Sequence, residues 1–238
     1  TMGLFSDRPY LELFYLNQQL GLNGPLIGEM GGTFDGLPTW PKEKVQLIYK
    51  IRKDLVNALC AFTDMHKIEL TFGHNSIPYD LNLNQSLQRK ITGNYIYHDT
   101  GRICCIGIGF RRFMNGTRLD TEFMVNECKE LLQHTVRTYG LTEKDVFIFT
   151  ADNDWGCVLM HFAEAGKHRM TQRLLAKFDE IYMIGDSPPD NLKGDERVIQ
   201  LAVNSAWPEY KKICRFVAPS EFAIGARECL EHILSINQ

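Results

Sequence analysis

Asp186 and Asp190, in the run Gly185-Asp186-Ser187-Pro188-Pro189-Asp190, are two carboxylates four residues apart on one short segment. They follow the apolar stretch Ile181-Tyr182-Met183-Ile184, which predicts a buried strand ending in a tight turn at Gly185. Open parallel sheets bind their ligands at the carboxyl ends of strands. Two carboxylates converging there suit magnesium, a hard cation that keeps several waters and also takes a phosphate oxygen. A loop with two solvated aspartates is the competing reading, and spacing alone does not separate them. Lys167 opens the preceding predicted helix and is placed to neutralise a phosphate. Ser6 ends a short apolar run just before another predicted helix, where a hydroxyl and the following backbone N–H groups can hold a phosphate oxygen. Taken in isolation, a surface lysine and an N-cap serine are the plainer readings of these two residues.

The elements that must position these groups alternate between strand and helix. Met2–Phe5 predicts a strand, Tyr10–Leu20 a helix punctuated by Gly21 and Asn23-Gly24-Pro25, and Leu26–Gly28 a second short strand. This strand–helix–strand unit belongs to a parallel sheet. Pro41 opens a helix whose residues Val45, Ile48, Ile51, Leu55, Val56 and Leu59 make one apolar stripe. Ile103–Phe110 predicts a strand, Thr121–Tyr139 a second amphipathic helix and Val146–Phe149 a strand. The parallel pattern then returns with a helix over Lys167–Lys177, strands at Glu180–Ile184, Val198–Val203 and Phe216–Val217, and a closing helix at Ala223–Leu234. The reading is an α/β fold with a Rossmann-like parallel core formed by 1–32 and 165–238, interrupted by an inserted α/β cap over 33–164 with antiparallel strands.

Composition narrows the function. The 238 residues are 44% hydrophobic and 23% charged, enough for one large domain or two modest ones. A net charge of −3 advertises no nucleic-acid surface. No apolar run is long enough to span a bilayer, and no signal peptide is visible. Seven cysteines, an odd number with no C-x-x-C pair, argue against a disulfide framework or a zinc site and for a reducing, intracellular compartment, the cytoplasm first. Most of them are expected to behave as small buried hydrophobes. Nothing in the spacing favours a nucleophilic cysteine with a distant histidine.

The order of the motifs carries further. Strand-then-Ser6, an insertion, Lys167, then Gly185-Asp186-x-x-x-Asp190 resembles motifs two, three and four of the haloacid dehalogenase superfamily, in its sugar-phosphatase and phosphoglycolate-phosphatase-like branch. Where that branch commonly reads Thr/Ser-Gly-Arg-Pro, this chain has Ser6-Asp7-Arg8-Pro9. Its Gly-Pro-apolar-x-Glu-Asn-Gly-Gly stretch is matched by Gly24-Pro25-Leu26-Ile27-Gly28-Glu29-Met30-Gly31-Gly32. Asn204-Ser205-Ala206 is similar to the family's Asn-Ala segment, and Ser220 and Gly225 echo its closing part. The resemblance implies a magnesium-dependent phosphomonoester hydrolase acting on a small phosphorylated metabolite, with Ser6 and Lys167 on phosphate and Asp186 and Asp190 on the metal.

The family's first motif, an apolar strand ending in Asp-x-Asp-Gly that supplies the covalent nucleophile and the general acid/base, does not occur in these residues. Asp152-Asn153-Asp154 imitates it only thirteen residues before Lys167, and Trp155 follows instead of glycine. Asp35-Gly36 lacks the paired aspartate. The expectation is therefore a core missing its N-terminal strand and helix, either a fragment or a sheet in which another strand fills the gap. Asp7 in place of glycine would repel a phosphate, and Met30 lacks the hydrogen bonds of asparagine. Both favour the alternative of a non-catalytic subunit that contacts a protein partner or another copy of itself. The chain as given is expected to release no phosphate from a generic aryl phosphate in magnesium.

Overall fold

The computed structural model of the chain describes residues 1–73, 93–151, 156–187, 190–192 and 195–236. Asp152-Asn153-Asp154 lies outside them. Two compact units divide the chain between Ala165 and Gly166.

The first unit opens with β1 (Leu4–Phe5), α1 (Tyr10–Leu20) and β2 (Leu26–Gly28). β1 and β2 pair in parallel, as the strand–helix–strand pattern requires. Gly21, at φ 63°, ends α1 in the left-handed conformation that glycine adopts without penalty. The chain then folds back through the hairpin β3 (Thr33–Phe34) and β4 (Leu37–Pro38). Its two-residue turn, Asp35-Gly36, has positive φ at both positions, 48° and 81°.

A larger sheet follows. Its strands are β5 (Glu69–Gly73), β6 (Gly93–Asp99), β7 (Ile106–Met114), β8 (Thr117–Arg118), β9 (Val146–Ala151) and β10 (Cys157–Phe162), in the order β5-β6-β7-β10-β9 with β8 on β7. All neighbours except β5 and β6 run antiparallel. Two helices, α2 (Lys42–His66) and α3 (Glu122–Thr138), cover one face. Ile48, Ile51, Leu55 and Leu59 of α2 and Cys128 and Leu132 of α3 are fully buried against Ile96, Ile106, Ile108, Phe110, Val158 and Met160. Burying each large apolar side chain of this set contributes about 1.5–3 kcal/mol, so helical period on one side and period two on the other lock the register. The opposite face carries Tyr97, Asp99, Gly107, Gly109, Leu159 and His161, offset by one residue from the packed set.

In the second unit, α4 (Lys167–Leu175) leads to a parallel sheet of β11 (Ile181–Gly185), β12 (Val198–Ala202) and β13 (Phe216–Val217), in that order. The short helix α5 (Pro208–Lys211) and the closing helix α6 (Phe222–Ile236) complete it. Every residue of β12 is buried, whereas every residue of β11 is half-buried. Among the described residues β11 pairs only with β12, so its other edge is open within this sheet. The chain is thus α/β with parallel sheet, as its sequence predicts. All seven cysteines are free thiols, and four of them, Cys104, Cys105, Cys128 and Cys229, are buried. Among the described residues no helix is long and apolar enough to cross a membrane.

Candidate functional site

Within the second unit the sequence-selected residues Lys167, Asp186 and Asp190 come together. β11 ends at Gly185, a position where no side chain fits: a Cβ would lie 2.7 Å from the Asp190 side chain and from the Tyr210 hydroxyl. The turn that follows is organised by Asp190. Its Oδ2 accepts hydrogen bonds from the Asp186 N–H (3.0 Å), the Ser187 N–H (3.2 Å) and the Ser187 hydroxyl (3.2 Å). Its Oδ1 takes Lys167 Nζ, from the first residue of α4. Asp190 is buried, so this pairing keeps both of its oxygens satisfied.

Electrostatics divides the two carboxyls. Burial acts to raise Asp190, but the Lys167 ammonium and the loop donors outweigh it and hold the group below the usual range. Asp186 is pushed up, first by partial loss of solvent and then by the charge of Asp190. A carboxylate in that state is stabilised by an added cation. Asp186 is exposed, while the Asp190 oxygens are engaged inside the loop. The set therefore fits a hard cation that keeps most of its waters and takes one carboxylate directly. The segment after β12 supports the loop, since the Trp207 N–H donates to the Asp186 carbonyl (2.8 Å) and Asn204 N–H to Ser220 O (2.9 Å). Gly225 packs where a Cβ would strike the Ser220 backbone.

Ser6 belongs to the first unit. It ends β1, its N–H bonds Ile27 O (3.0 Å), and its hydroxyl accepts from Arg8 N–H at 3.3 Å in the turn entering α1. The next residue, Asp7, was expected to oppose an anion. In the structure its charge is balanced. Its Oδ1 stands 2.9 Å from His161 Nε2, and its Oδ2 and backbone carbonyl lie 3.4 Å and 2.8 Å from Arg102 Nη1. Burial works to raise the Asp7 carboxyl, yet Arg102 and His161 together hold it below the ordinary value.

Arg102 and its neighbours form a buried polar cluster that residue spacing does not disclose. Arg102 Nε donates to Asp99 Oδ2 (2.9 Å) and Nη1 to Cys105 Sγ (3.2 Å). Gly107 makes room for it, because a Cβ there would come within 2.5 Å of Arg102 Nε. Glu29, fully buried at the end of β2, accepts from the N–H groups of Ile103 and Cys104 (2.9 and 2.6 Å). Glu29, Met30 and Gly31 all have positive φ (52°, 54° and 87°), and this backbone kink aims the Glu29 carboxylate at those amides. Met30 thus serves the turn by its backbone, where asparagine would add side-chain bonds. The sequence signal available for this region was the glycine-rich stretch around residues 24–32, which marks a special backbone without naming its partner.

An inserted sheet-and-helix layer, a parallel sheet, and a Lys–Asp pair on an acidic loop at the carboxyl end of a parallel strand define a haloacid-dehalogenase-like hydrolase fold. Comparison with solved structures gives the same answer over nearly the whole chain. A haloacid dehalogenase-like hydrolase from Bacteroides thetaiotaomicron superposes with a TM-score of 0.57 at 14% identity, covering 97% of this chain and 85% of the other. A protein from Thermotoga maritima gives 0.55 at 13% identity, over 96% and 83%. One from Thermoplasma acidophilum gives 0.51 at 17%, over 98% and 82%. No protein-family model and no curated protein matches the sequence. The chain has the fold of the haloacid dehalogenase-like hydrolases.

Proposed function

We propose that this chain is the framework of a magnesium-dependent phosphomonoester hydrolase, with residues 1–32 and 165–238 as its core and 33–164 as its substrate-selecting cap. The observation that carries the reading is the Lys167–Asp190 pair beneath the exposed Asp186, at the carboxyl end of β11. Magnesium bound there would offset charge on a phosphate oxygen. Asp186 would hold it. Asp190 would keep its neighbour in place by closing the loop through three donors to Oδ2, and would aim Lys167 through Oδ1. Lys167 then supplies a fixed positive charge, and Ser6 a hydroxyl at a turn that begins a helix. The metabolite is chosen by the cap.

By the family route, the nucleophile must be an aspartate on an apolar strand, and residues 1–238 contain no Asp-x-Asp-Gly. Among the described residues β11 stands at the end of the order β11-β12-β13, and the added strand is expected to join the parallel sheet on that side. The test compares two proteins with p-nitrophenyl phosphate and magnesium: the chain as given, and the same chain preceded by an apolar strand ending in Asp-x-Asp-Gly and a helix. The first is expected to be silent. The second is expected to turn over and to lose at least about a hundredfold in rate on Lys167→Ala. A folded, extended protein that binds magnesium and hydrolyses nothing refutes the phosphatase reading. Turnover by the unextended chain that vanishes on Asp186→Ala refutes the need for an added strand.

A further inference from the structure

The helix-free face of the large sheet carries a second cluster of polar side chains, apart from the loop of β11. There Asp7, Cys105 and His161 each bring one ligand atom to a common point, all within 4.8 Å of one another. We infer that these three residues form a zinc site, with the buried thiol, an imidazole nitrogen and a carboxylate oxygen as its protein ligands. Nothing in the phosphatase reading uses it, and it stands or falls independently of that reading.

Three observations support it. The first is chemistry. Sulfur, nitrogen and oxygen together are the donor set of a borderline cation, with zinc the commonest, whereas magnesium and calcium take oxygen alone. Three protein ligands also leave one position of the tetrahedron for water or a substrate atom. The second is the state of the donors. His161 is 3% exposed, and neither of its ring nitrogens completes a hydrogen bond. Asp7 Oδ1 is likewise inaccessible and unbonded, although it lies 2.9 Å from His161 Nε2. Buried polar atoms left in this state are costly in a dry protein, and a shared cation satisfies both at once. Separating them by roughly half an ångström would admit a zinc ion at the usual bond lengths of about 2.0–2.3 Å.

The third is an outer partner for the sulfur. Zinc would form the Zn–S bond as the Cys105 thiol proton leaves for the buffer. Arg102 is anchored by Asp99 and by the Asp7 backbone carbonyl, with Nη1 3.2 Å from Cys105 Sγ. It is therefore already placed as a hydrogen-bond donor to a zinc-bound thiolate, the kind of outer partner that orients metal ligands.

The experiment uses the whole chain, stripped with a chelator and then titrated with Zn(II), and with Co(II) as a spectroscopic stand-in. One equivalent of metal is expected. The cobalt form should show a thiolate-to-metal charge-transfer band, and X-ray absorption of the zinc form should show one sulfur at about 2.3 Å with nitrogen and oxygen in the remaining shell. Cys105→Ser and His161→Gln are each expected to weaken zinc binding by more than about a hundredfold. Cys104→Ser and Asp186→Asn are expected to leave it unchanged. An all-nitrogen-and-oxygen shell in the wild-type protein overturns the inference whether or not any variant folds. So does a charge-transfer band that survives Cys105→Ser, or binding below one equivalent.

Discussion

His98 offers the sharpest test of the packing described above. It lies on the helix-covered face of β6, opposite Ile108 of β7, and is 1% exposed. Neither ring nitrogen makes a well-formed hydrogen bond. Burial, followed by the nearby Arg52 guanidinium, pushes its pKa down to about 4 from an ordinary 6.5. The unfolded chain therefore takes up this proton from about pH 6.5 downward, and the folded chain only near pH 4. Between those values the unfolded state holds more protons, so stability falls as pH falls. Above the window both states are neutral and the contribution is flat. Below it both are charged and the loss is complete. The displacement corresponds to about 3 kcal/mol in total, with a slope approaching about 1.4 kcal/mol per pH unit mid-window. Urea unfolding from pH 7.5 to pH 4.5 measures it. Trp40 is 8% exposed in the first unit while Trp207 of the second is 57% exposed, so the fluorescence red shift follows mainly the first unit. His98→Phe removes the titration and keeps the ring. Parallel stability curves for the wild type and this variant across the window would refute the argument.

Two further outcomes follow from the same physics. Lys167→Ala should destabilise the second unit by about 3–5 kcal/mol, because it leaves the Asp190 carboxylate buried and short of its partner. Lys167→Ala combined with Asp190→Asn should recover part of that loss in urea unfolding followed by far-UV circular dichroism, which reports both units. Leu55→Ala, at a fully buried position between α2 and the large sheet, should cost about 2–5 kcal/mol, and a calorimetric loss under 1 kcal/mol would contradict the packing assignment.

The sequence was most legible where local rules decide. Tyr10–Leu20, Leu26–Gly28 and Phe216–Val217 occupy the predicted residues because periodicity and the flanking glycines and prolines agree. The strand expected from Ile103 starts only at Ile106, since residues 102–105 are taken up by the Arg102 and Glu29 contacts. β10 gives no strand signal because Cys157–Phe162 lacks alternation, and β6 gives none because Asn94, Tyr95, His98 and Asp99 mask its period. Asp35-Gly36 could have been read as a hairpin turn, as the two-residue link it makes between β3 and β4 shows. At the loop of β11, residue order placed Lys167 beside the aspartates, but spacing could not say which oxygen each donor would occupy. The Asp7–Arg102–Cys105–His161 cluster gathers side chains from distant parts of the chain, which only the folded sheet brings together.

Glu29 shows how such a cluster constrains the chain's future. Its left-handed backbone would be relieved by glycine, a gain of roughly 1 kcal/mol. The same change would strip the Ile103 and Cys104 amides of their acceptor, at about 1–3 kcal/mol apiece. Aspartate is a methylene too short to span the gap, and any apolar residue keeps the strain while losing the bonds. Glycine, aspartate and apolar residues are thus each worse at position 29 as long as the 102–105 segment keeps its route. Two stretches more than seventy residues apart in sequence thus share one energetic constraint.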